Sequence, residues 1–450
     1  MIDPWIASTV FLASLILCLC AIKRPELLMS QEHMLRDLKA KQSQHRRPTP
    51  RVGGAAVVLA LLIGGALHAD QLRSDLSLSL LSGLFVFCVG LKEDVSRDVS
   101  PKIRLQAAFA SATLAIALTG RMVPGFGLMQ TDFFFGFTLV ALVVTLIWSA
   151  GTCNAINLID GLNGLASGFA FFAAVGLSTI AGFTGDQDIQ IVAGLLAVAI
   201  SGFFILNWPF GRIFMGDAGA YAIGHILAWL GILLMARNPE VSGFSILLVL
   251  FWPVGETVFS IIRRRLQRKA TDQPDRLHFH HLVVRAIPMI FNRGMRSASD
   301  NSIATALIYP AMAIPIYAGV VNWNDPVKSL FYLLLFTLLF VLTYVFSIEY
   351  FASQRFRRRK IAKKGRDTHW QTVEEKSNLS GIFIQDSLAV DVRISRSHPE
   401  AGWTLHTSAT ETEPLRWNGH FKTDLDAWQA FLSHAEEFGI TTLLGQNRPS

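Results

Sequence analysis

This chain is short of charge and of cysteine. Only 16% of its 450 residues are charged and 51% are hydrophobic, with a mean hydropathy of +0.40. A soluble domain of this size carries more charge, which excludes one large soluble core. Its four cysteines lie in or at the ends of apolar runs, and their spacing suits neither a zinc site nor a disulfide framework. We interpret them as small buried apolar side chains.

The N-terminus lacks the basic residues of a signal peptide. Met1–Pro4 carries no positive charge, and Lys23 and Arg24 follow the first apolar run. This order predicts a retained helix whose C-terminal end faces the cytoplasm. The sequence also lacks internal repeats and a basic stripe with interleaved aromatics. The net charge of +7 therefore does not indicate nucleic-acid binding.

What the chain does have is long apolar runs, most of them near the ~20 residues that a membrane-crossing helix needs. They predict an all-α polytopic membrane protein with about eleven transmembrane helices and the N-terminus outside. The predicted spans are Trp5–Ile22, Val52–His68, Asp75–Leu91, Leu105–Gly120, Phe133–Ala150, Ala166–Phe183, Ile189–Leu206, Gly219–Ala236, Gly243–Ile262, Ile303–Val321 and Ser329–Tyr350.

Charge in the loops supports this orientation. With the first loop inside, the inner loops hold 22 Lys and Arg residues, and the outer loops hold four, at Arg73, Arg121, Arg237 and Lys328. Positive charge accumulates on the cytoplasmic side of membrane proteins. The prediction is a transmembrane domain over 1–352.

The tail differs in composition. A basic linker over 353–379 contains RFRRRKIAKKGR, which suits anionic lipid headgroups at a membrane surface. Residues 380–450 predict a small cytoplasmic α+β module of unknown role, with strands at Gly381–Asp386, Val390–Arg396, Trp403–Ser408 and Leu415–Phe421 and a helix at Asp424–Phe438.

Four polar islands interrupt the apolar runs, and the predicted topology puts all of them on the cytoplasmic side. Carboxylates, carboxamides and imidazoles are costly near a bilayer, so they indicate function there. Their residue types suit a divalent metal that holds a diphosphate. The islands are GLKED at Gly90–Asp94, NAINLIDGLNG at Asn154–Gly164, FMGDAG at Phe214–Gly219 and RLHFHH at Arg276–His281.

The second island spaces Asn154, Asn157 and Asp160 at i, i+3 and i+6, which stacks them on one face of a helix. Gly161 and Gly164 then break the helix and let backbone approach a ligand. Contact with the polar parts of a nucleotide or sugar is our interpretation. A capping network within a helix bundle is the alternative, and it explains three aligned groups less well.

The acidic islands suit a metal. Asp217 begins a new span, where an acid also caps a helix, and its flanking glycines clear space for a ligand. We take Asp217 as the main magnesium ligand. Glu93 and Asp94 repel each other, a cost that a cation relieves. One of them would bind metal, and the other would accept a proton from an attacking phosphate or orient it. Two solvated acids at a helix end are the alternative.

Basic groups complete the predicted site. Lys102 and Arg104 are placed for a lipid phosphate. A cluster of three histidines with Arg276 would donate hydrogen bonds to a diphosphate. Zinc binding is the alternative, but no nearby Cys or acid completes a zinc site. The histidines are His278, His280 and His281. Arg51 lies in the motif RRPTPRVGG together with Arg46 and Arg47. This motif either forms a structured loop that faces a phosphate, or its basic residues only set the membrane topology.

In this order the motifs RPTPRVGG, GLKEDVSRDVSPKIRL, NAINLIDGLNGLASG, FMGDAG and PDRLHFHHL resemble the polyprenyl-phosphate N-acetylhexosamine-1-phosphate transferases, a superfamily that includes phospho-N-acetylmuramoyl-pentapeptide transferase. The resemblance implies that a UDP-N-acetylhexosamine donates its sugar phosphate to a polyprenyl phosphate. The products are polyprenyl-diphospho-sugar and UMP. It further implies a bacterial inner-membrane enzyme with a cytoplasmic active site, a homodimer, and a role in starting O-antigen, capsule or exopolysaccharide synthesis.

By the same resemblance, Mg²⁺, or Mn²⁺ in its place, bridges the diphosphate and is held by Asp217 and Asp94. Glu93 would mainly orient the acceptor phosphate, because a phosphomonoester is already largely ionised near neutrality. The histidines and Arg276 would steady the phosphates. The nucleotide-sugar would be placed by Asn154, Asn157, Asp160 and Asn163.

This sequence departs from the family pattern at four positions. Glu93 and Glu256 replace aspartates, Asn163 replaces an acid, and Ala220 replaces a serine. Two rival interpretations remain. A lipid or solute transporter would place its polar groups near the midplane and often show repeated halves. A catalytically altered scaffold is suggested by Asn163 and Ala220.

Overall fold

A computed structural model describes residues 2–24, 49–96, 98–267, 277–290, 299–369, 375–385, 388–397, 400–409, 415–417 and 420–438. The chain divides into two compact units, Met1–Ile348 and Glu349–Ser450. The first unit is a bundle of helices, and the second contains a small antiparallel sheet. Arg276, Arg46 and Arg47, which the sequence suggested as phosphate contacts, lie outside the described residues.

The helices of the first unit follow the apolar runs. They are α1 (Pro4–Lys23), α2 (Gly53–Leu67), α3 (Ser74–Ser96), α4 (Pro101–Thr119), α5 (Met129–Phe135), α6 (Thr138–Ile159), α7 (Leu165–Thr184), α8 (Gln187–Asn207), α9 (Gly216–Arg237), α10 (Gly243–Val249), α11 (Phe251–Leu266), α12 (Phe279–Ile290), α13 (Asp300–Val321) and the start of α14 (Pro326–His369).

Within the described residues, eight helices are long and apolar enough to cross a membrane, which confirms a multi-pass membrane protein. They are α1, α3, α6, α7, α8, α9, α13 and the Pro326–Tyr350 part of α14. A ninth span is obtained if α10 and α11 count as one, although they are bent by 85°. The structure thus replaces the single helix predicted over Gly243–Ile262 with a broken one. Since α2 and α4 lie where the remaining predicted spans fall, the count of eleven stays a prediction, as does the orientation.

Helix α9 is the centre of the bundle. Every residue from Gly216 to Met235 is buried, and α9 packs against α2, α3, α6 and α7. Small residues allow this close approach, as is common between membrane helices. A Cβ on Gly54 would lie 2.2 Å from the Gly219 Cα, and a Cβ on Gly90 would lie 2.7 Å from the Ala218 nitrogen. These contacts fix the N-terminus of α9 beside α2 and α3.

The bundle has two polar ends. The C-termini of α3 and α6 meet the N-terminus of α9 at one of them, which we call the site end. At the opposite end, Arg237 closes α9 and is buried against Asp75, Asp186 and Asp188, with side-chain exposures of 4% for Arg237 and 3–4% for the last two acids. Its guanidinium donates to Asp186 at 3.1 Å, to Asp188 at 2.9 Å and to Asp75 at 3.2 Å. One cation thus joins α3, α8 and α9.

Removing this cation is expected to destabilise the fold. Arg237→Gln leaves buried carboxylates without their partner, a change that costs roughly 3–5 kcal/mol in other proteins. The free energy of unfolding, followed by thermal denaturation of the purified protein in detergent, measures the effect. Arg121→Gln is the control, because Arg121 pairs with the same Asp75 at 3.5 Å but is 45% exposed. Exposed pairs contribute about 0–1 kcal/mol. Equal losses in the two variants would contradict the prediction.

The second unit contains the predicted small C-terminal sheet, which the structure confirms. Its strands are β1 (Glu375–Lys376), β2 (Gly381–Gln385), β3 (Leu388–Arg396), β4 (Thr404–Ala409) and β5 (Leu415–Arg416). All pairings are antiparallel, and β3 pairs with β1, β2 and β4. Helix α15 (Asp424–Phe438) packs its fully buried Phe431 into the core of this sheet. Among the described residues of this unit, the two-residue strand β1 is the element that the sequence did not predict.

Candidate active site

Asp94 caps the central helix. Its carboxylate lies at the end of α3, is 1% exposed, and accepts the backbone N–H groups of Asp217 at 2.9 Å and Ala218 at 2.8 Å. The first N–H groups of a helix have no partner within it, and the helix dipole attracts negative charge there. Both Asp94 oxygens are therefore committed to α9. They hold the turn that carries Asp217.

Asp217 lies between two arginines. The Arg104 guanidinium, from the first turns of α4, donates to Asp217 Oδ2. Arg51 Nη2 lies 3.8 Å from Asp217 Oδ1. The Asp217 side chain is only 6% exposed, whereas Arg51 is 29% exposed and Arg104 is 17% exposed. Both cations therefore reach from the partly open side of the site toward a buried carboxylate.

Asp160 is the third carboxylate of this group. It follows the last residue of α6, and burial raises the pKa of its carboxyl to about 8. The charges of Asp217 and Asp94 act in the same direction, while Arg51 and the Gly216 backbone favour the ionised form. Asp94, Asp160 and Asp217 therefore share one environment that favours additional positive charge.

A backbone pairing fixes the approach to Asp217. The N–H groups of Gly53 and Gly54 donate to the carbonyls of Phe214 and Met215 at 2.9 and 2.8 Å, and Phe214 N–H donates to Pro50 at 2.9 Å. Gly216 then adopts φ +77°, in the region that favours glycine. These bonds hold the segment next to Arg51 against the FMGD turn.

Tyr221 connects this acid group to α6. Its hydroxyl donates to Asn154 Oδ1 at 3.2 Å, and Asn157 also bonds to the phenol. The charge of Arg104 acts on the same ring. The two carboxamides predicted to share a helix face therefore lie one side chain away from the arginine that binds Asp217. Sequence reasoning missed Tyr221, because a tyrosine in an apolar helix carries no distinctive pattern.

The histidines form a second group around Glu256 of α11. Glu256 is 2% exposed, and its Oε1 accepts the Phe279 N–H at 2.9 Å and lies 2.9 Å from His280 Nδ1 and 3.7 Å from His278 Nδ1. The rings of His280 and His281 have centroids 4.3 Å apart. Glu256 thus sets the start of α12 and the orientation of the His280 ring.

The two groups meet at Gly161. A Cβ there would lie 2.9 Å from His280 Nε2, so the ring edge opposite Glu256 approaches the backbone directly after Asp160. Glycine is required at such a close approach. The acid group and the histidine group therefore line one continuous polar region.

Three further predicted residues lie around this region. Glu93 Oε2 accepts the Val99 N–H at 2.8 Å, which fixes the turn before α4, and its charge acts on Arg104. Lys102 is exposed on the first turn of α4. Asn163 is 7% exposed and turns its amide toward the Pro209 carbonyl at 3.5 Å.

Known proteins resemble this chain. A sequence profile for glycosyl transferase family 4 matches residues 76–235. An undecaprenyl-phosphate alpha-N-acetylglucosaminyl 1-phosphate transferase of Salmonella typhimurium is 32% identical over 54% of this chain and 68% of its own length. A phospho-N-acetylmuramoyl-pentapeptide-transferase of Rubrobacter xylanophilus is 31% identical over 52% of this chain and 75% of its own. The chain belongs to glycosyl transferase family 4.

A further relative supports the assignment. A probable undecaprenyl-phosphate N-acetylglucosaminyl 1-phosphate transferase of Bacillus subtilis is 29% identical over 55% of this chain and 69% of that protein. The family 4 profile covers Asp94, Asp160 and Asp217 but ends before α10. The acid group therefore lies inside the matched segment, and the Glu256–histidine group lies outside it.

The departures of this family 4 member fall at defined places. Ala220 is fully buried one turn after Asp217. Glu256 accepts bonds from α12, so its longer side chain still has partners. Asn163 uses its backbone N–H and carbonyl to bond Asn301 and Thr305, both at 2.8 Å. The chemical roles of these residues stay predictions.

Proposed function

We propose that this protein transfers an N-acetylhexosamine-1-phosphate from a UDP-sugar to a polyprenyl phosphate. An oxygen of the acceptor phosphate forms a new bond to the sugar-linked phosphorus, and the bond from that phosphorus to the UMP oxygen breaks. The products are polyprenyl-diphospho-sugar and UMP. Relatives in glycosyl transferase family 4 carry names for this kind of transfer, with an undecaprenyl-phosphate acceptor.

One observation carries the proposal. Three carboxylates and two arginines converge at the N-terminus of a buried helix, at one end of a bundle of membrane-spanning helices. Phosphoryl transfer requires little covalent chemistry from a protein, and depends on positioning and charge stabilisation. A membrane acceptor and a water-soluble donor can meet only where a bundle opens toward water. The position of the site at one end of the bundle and its arginines and carboxylates suit binding of both the membrane acceptor and the water-soluble donor.

The residues fit a magnesium ion. Among the residues that the structure describes, no three acid, imidazole or thiol groups form a complete cage. Mg²⁺ does not need one, since it takes one or two carboxylates with phosphate oxygens and water. Of the two carboxylates that the sequence assigned to the metal, we keep Asp217. Asp94, whose two oxygens accept helix N–H groups, would instead position Asp217, and Asp160 would be the second ligand. When bound, the ion, or Mn²⁺ in its place, neutralises charge on the diphosphate.

The other side chains have assigned tasks in the proposal. The acceptor phosphate is largely ionised near neutrality, so Glu93 orients it without removing a proton. Arg51, Lys102 and Arg104 attract the phosphates. His278 and His280, which contact Glu256, and the neighbouring His281 donate to the diphosphate. Asn154 and Asn157, linked through Tyr221, place the nucleotide-sugar.

The location of the protein is part of the proposal. The charge bias of the predicted loops supports an orientation with the site end in the cytoplasm. The bacterial relatives support a bacterial inner membrane as its location. The product would start an O-antigen, capsule or other cell-envelope glycan.

A panel of UDP-sugars tests the activity. Purified protein in detergent, with undecaprenyl phosphate and Mg²⁺, is expected to release UMP from at least one of UDP-N-acetylglucosamine, UDP-N-acetylgalactosamine and a deoxy amino sugar donor. Omitting the lipid or adding a chelator is expected to stop release, and Mn²⁺ is expected to restore it after chelation.

The same panel separates the alternatives. A folded protein that releases no UMP from any donor supports the scaffold. Binding of polyprenyl phosphate without chemistry supports a lipid transporter. Release that persists in the presence of the chelator contradicts the magnesium site but leaves the transfer reaction in place.

A further inference from the structure

Side chains from α8 and α13 bond all four backbone polar groups of two loop residues beside Asp160. Asn163 N–H donates to Asn301 Oδ1 at 2.8 Å, and the Asn163 carbonyl accepts from Thr305 Oγ1 at 2.8 Å. Gly164 N–H donates to Asn207 Oδ1 at 2.7 Å, and its carbonyl accepts from the Tyr309 hydroxyl at 3.0 Å.

The loop conformation makes these bonds necessary. Gly164 adopts φ +80° at the start of α7, and α7 has no side-chain cap of its own. Asn207 supplies that cap from the end of α8, and also accepts the Ser167 hydroxyl at 3.2 Å. A buried backbone group without a partner is costly. The Gly164 carbonyl also accepts the Gly168 N–H at 2.7 Å, so the groups that depend most on these side chains are the two N–H groups and the Asn163 carbonyl.

Asn207 also contacts the second acid-bearing segment. Its Nδ2 donates to the Ile213 carbonyl at 2.8 Å, directly before the Phe214–Gly219 turn that carries Asp217. One carboxamide, 5% exposed, therefore bonds the loop after Asp160 with its oxygen and the segment before Asp217 with its nitrogen. This arrangement couples the positions of the two carboxylates.

We propose that Asn207, Asn301, Thr305 and Tyr309, which we call the loop clamp, are positioning residues that set Asp160 and Gly161 against Asp217 and His280. The inference rests on the proposed function and adds residues outside the polar islands. All four side chains reach the loop through backbone bonds to Asn163 and Gly164, and Asn207 alone also bonds the Ile213 carbonyl. Loss of the clamp should therefore move the loop and leave the helices in place.

The test removes hydroxyl donors without changing shape. Thr305→Val with Tyr309→Phe deletes both hydroxyl donors to the loop carbonyls and keeps the Gly168 N–H bond to Gly164. Thr305→Ser is the matched control that keeps a hydroxyl. Hydrogen exchange followed by mass spectrometry is expected to show exchange about tenfold faster in the peptide covering 160–165 of the double variant. Peptides from α9 should match the wild type, and Thr305→Ser should match it throughout.

Kinetics supply the second readout. A 1 Å misplacement in an active site costs on the order of 10²-fold in rate. For the double variant we expect kcat for UMP release to fall about tenfold or more, with KM for undecaprenyl phosphate changed less than twofold. Thr305→Ser should keep at least half of the wild-type kcat.

Three results overturn the inference. These are unchanged loop exchange in the double variant, faster exchange spread over all helices, and a loss of kcat that Thr305→Ser shares. If the wild type itself releases no UMP, the proposed function fails. The exchange experiment then decides alone whether the clamp holds the loop, so the two failures remain distinguishable.

Discussion

Asp217→Asn is expected to lower the rate of UMP release by on the order of 10²–10³-fold, the loss seen when one preorganised charge-stabilising group is removed from an active site. Asparagine keeps the size of the side chain but removes the charge that pairs with Arg104 and Arg51. It also removes a carboxylate oxygen from the proposed magnesium site. Steady-state release of UMP, with Mg²⁺ varied, measures both effects.

The control for Asp217 is an acid of the opposite end. Asp70 is exposed in the short turn Ala69–Gln71. Asp70→Asn is expected to keep wild-type activity, because nothing in the proposed reaction involves that end. Both variants should elute as folded protein in size-exclusion chromatography. Near-normal activity of folded Asp217→Asn would remove Asp217 from the magnesium site.

Gly216→Ala is expected to lower the rate of UMP release about as much as Asp217→Asn does, because the added methyl group has no room. A Cβ at this position would lie 1.9 Å from the Arg51 carbonyl and 2.6 Å from Asp94 Oδ2. Backbone at Arg51 would have to move, together with the carboxylate that caps α9. Misplacing active-site groups by about 1 Å costs roughly 10²-fold in rate, and here two such groups shift together.

Gly185→Ala is the control that separates the strain of a left-handed backbone from the steric clash that Gly216→Ala creates. Gly185 has φ +75°, close to the +77° of Gly216, but a Cβ there would meet nothing within 4 Å. Left-handed backbone alone costs about 1–2 kcal/mol for a residue with a Cβ. Gly185→Ala should therefore lose some stability and keep its activity. Equal kinetic losses in the two variants would show that strain, and not the collision beside Asp94, explains the effect.

The meeting of Asp94, Asp160 and Asp217 could be predicted in outline. Each acid follows or begins an apolar run, and topology then puts the three at one end. What each carboxylate does could not be predicted. That Asp94 gives both oxygens to α9 depends on the register between α3 and α9, which the contact of Gly90 with Ala218 sets. Registers between helices are tertiary facts that spacing does not contain.

The histidine group shows the same limit. Three histidines in four residues indicated a phosphate-binding cluster, and Glu256 was noted only as an altered acid. His280 Nδ1 lies 2.9 Å from Glu256 Oε1, although the two residues are 24 positions apart in the chain. The break between α10 and α11 was missed, although Pro253 gave a signal, since proline is tolerated in the first turn of a new helix.

The loop clamp was missed for another reason. Asn207 and Asn301 are neutral carboxamides near helix ends, where capping explains asparagine without any further role. Only their distances to Asn163 and Gly164 assign them to the second polar island. Neutral groups that act through backbone leave no charge pattern in a sequence.

The burial of α9 from Gly216 to Met235 has a consequence for the response of the protein to its surroundings. Lipids of different chain length change the thickness of the bilayer around the outer helices. Those helices must tilt, or the bilayer must thin, so that hydrophobic length and bilayer thickness match. The helix that carries Asp217 touches none of those lipids. Catalytic rate should therefore vary little between vesicles of short-chain and long-chain phospholipids, even where thermal stability changes.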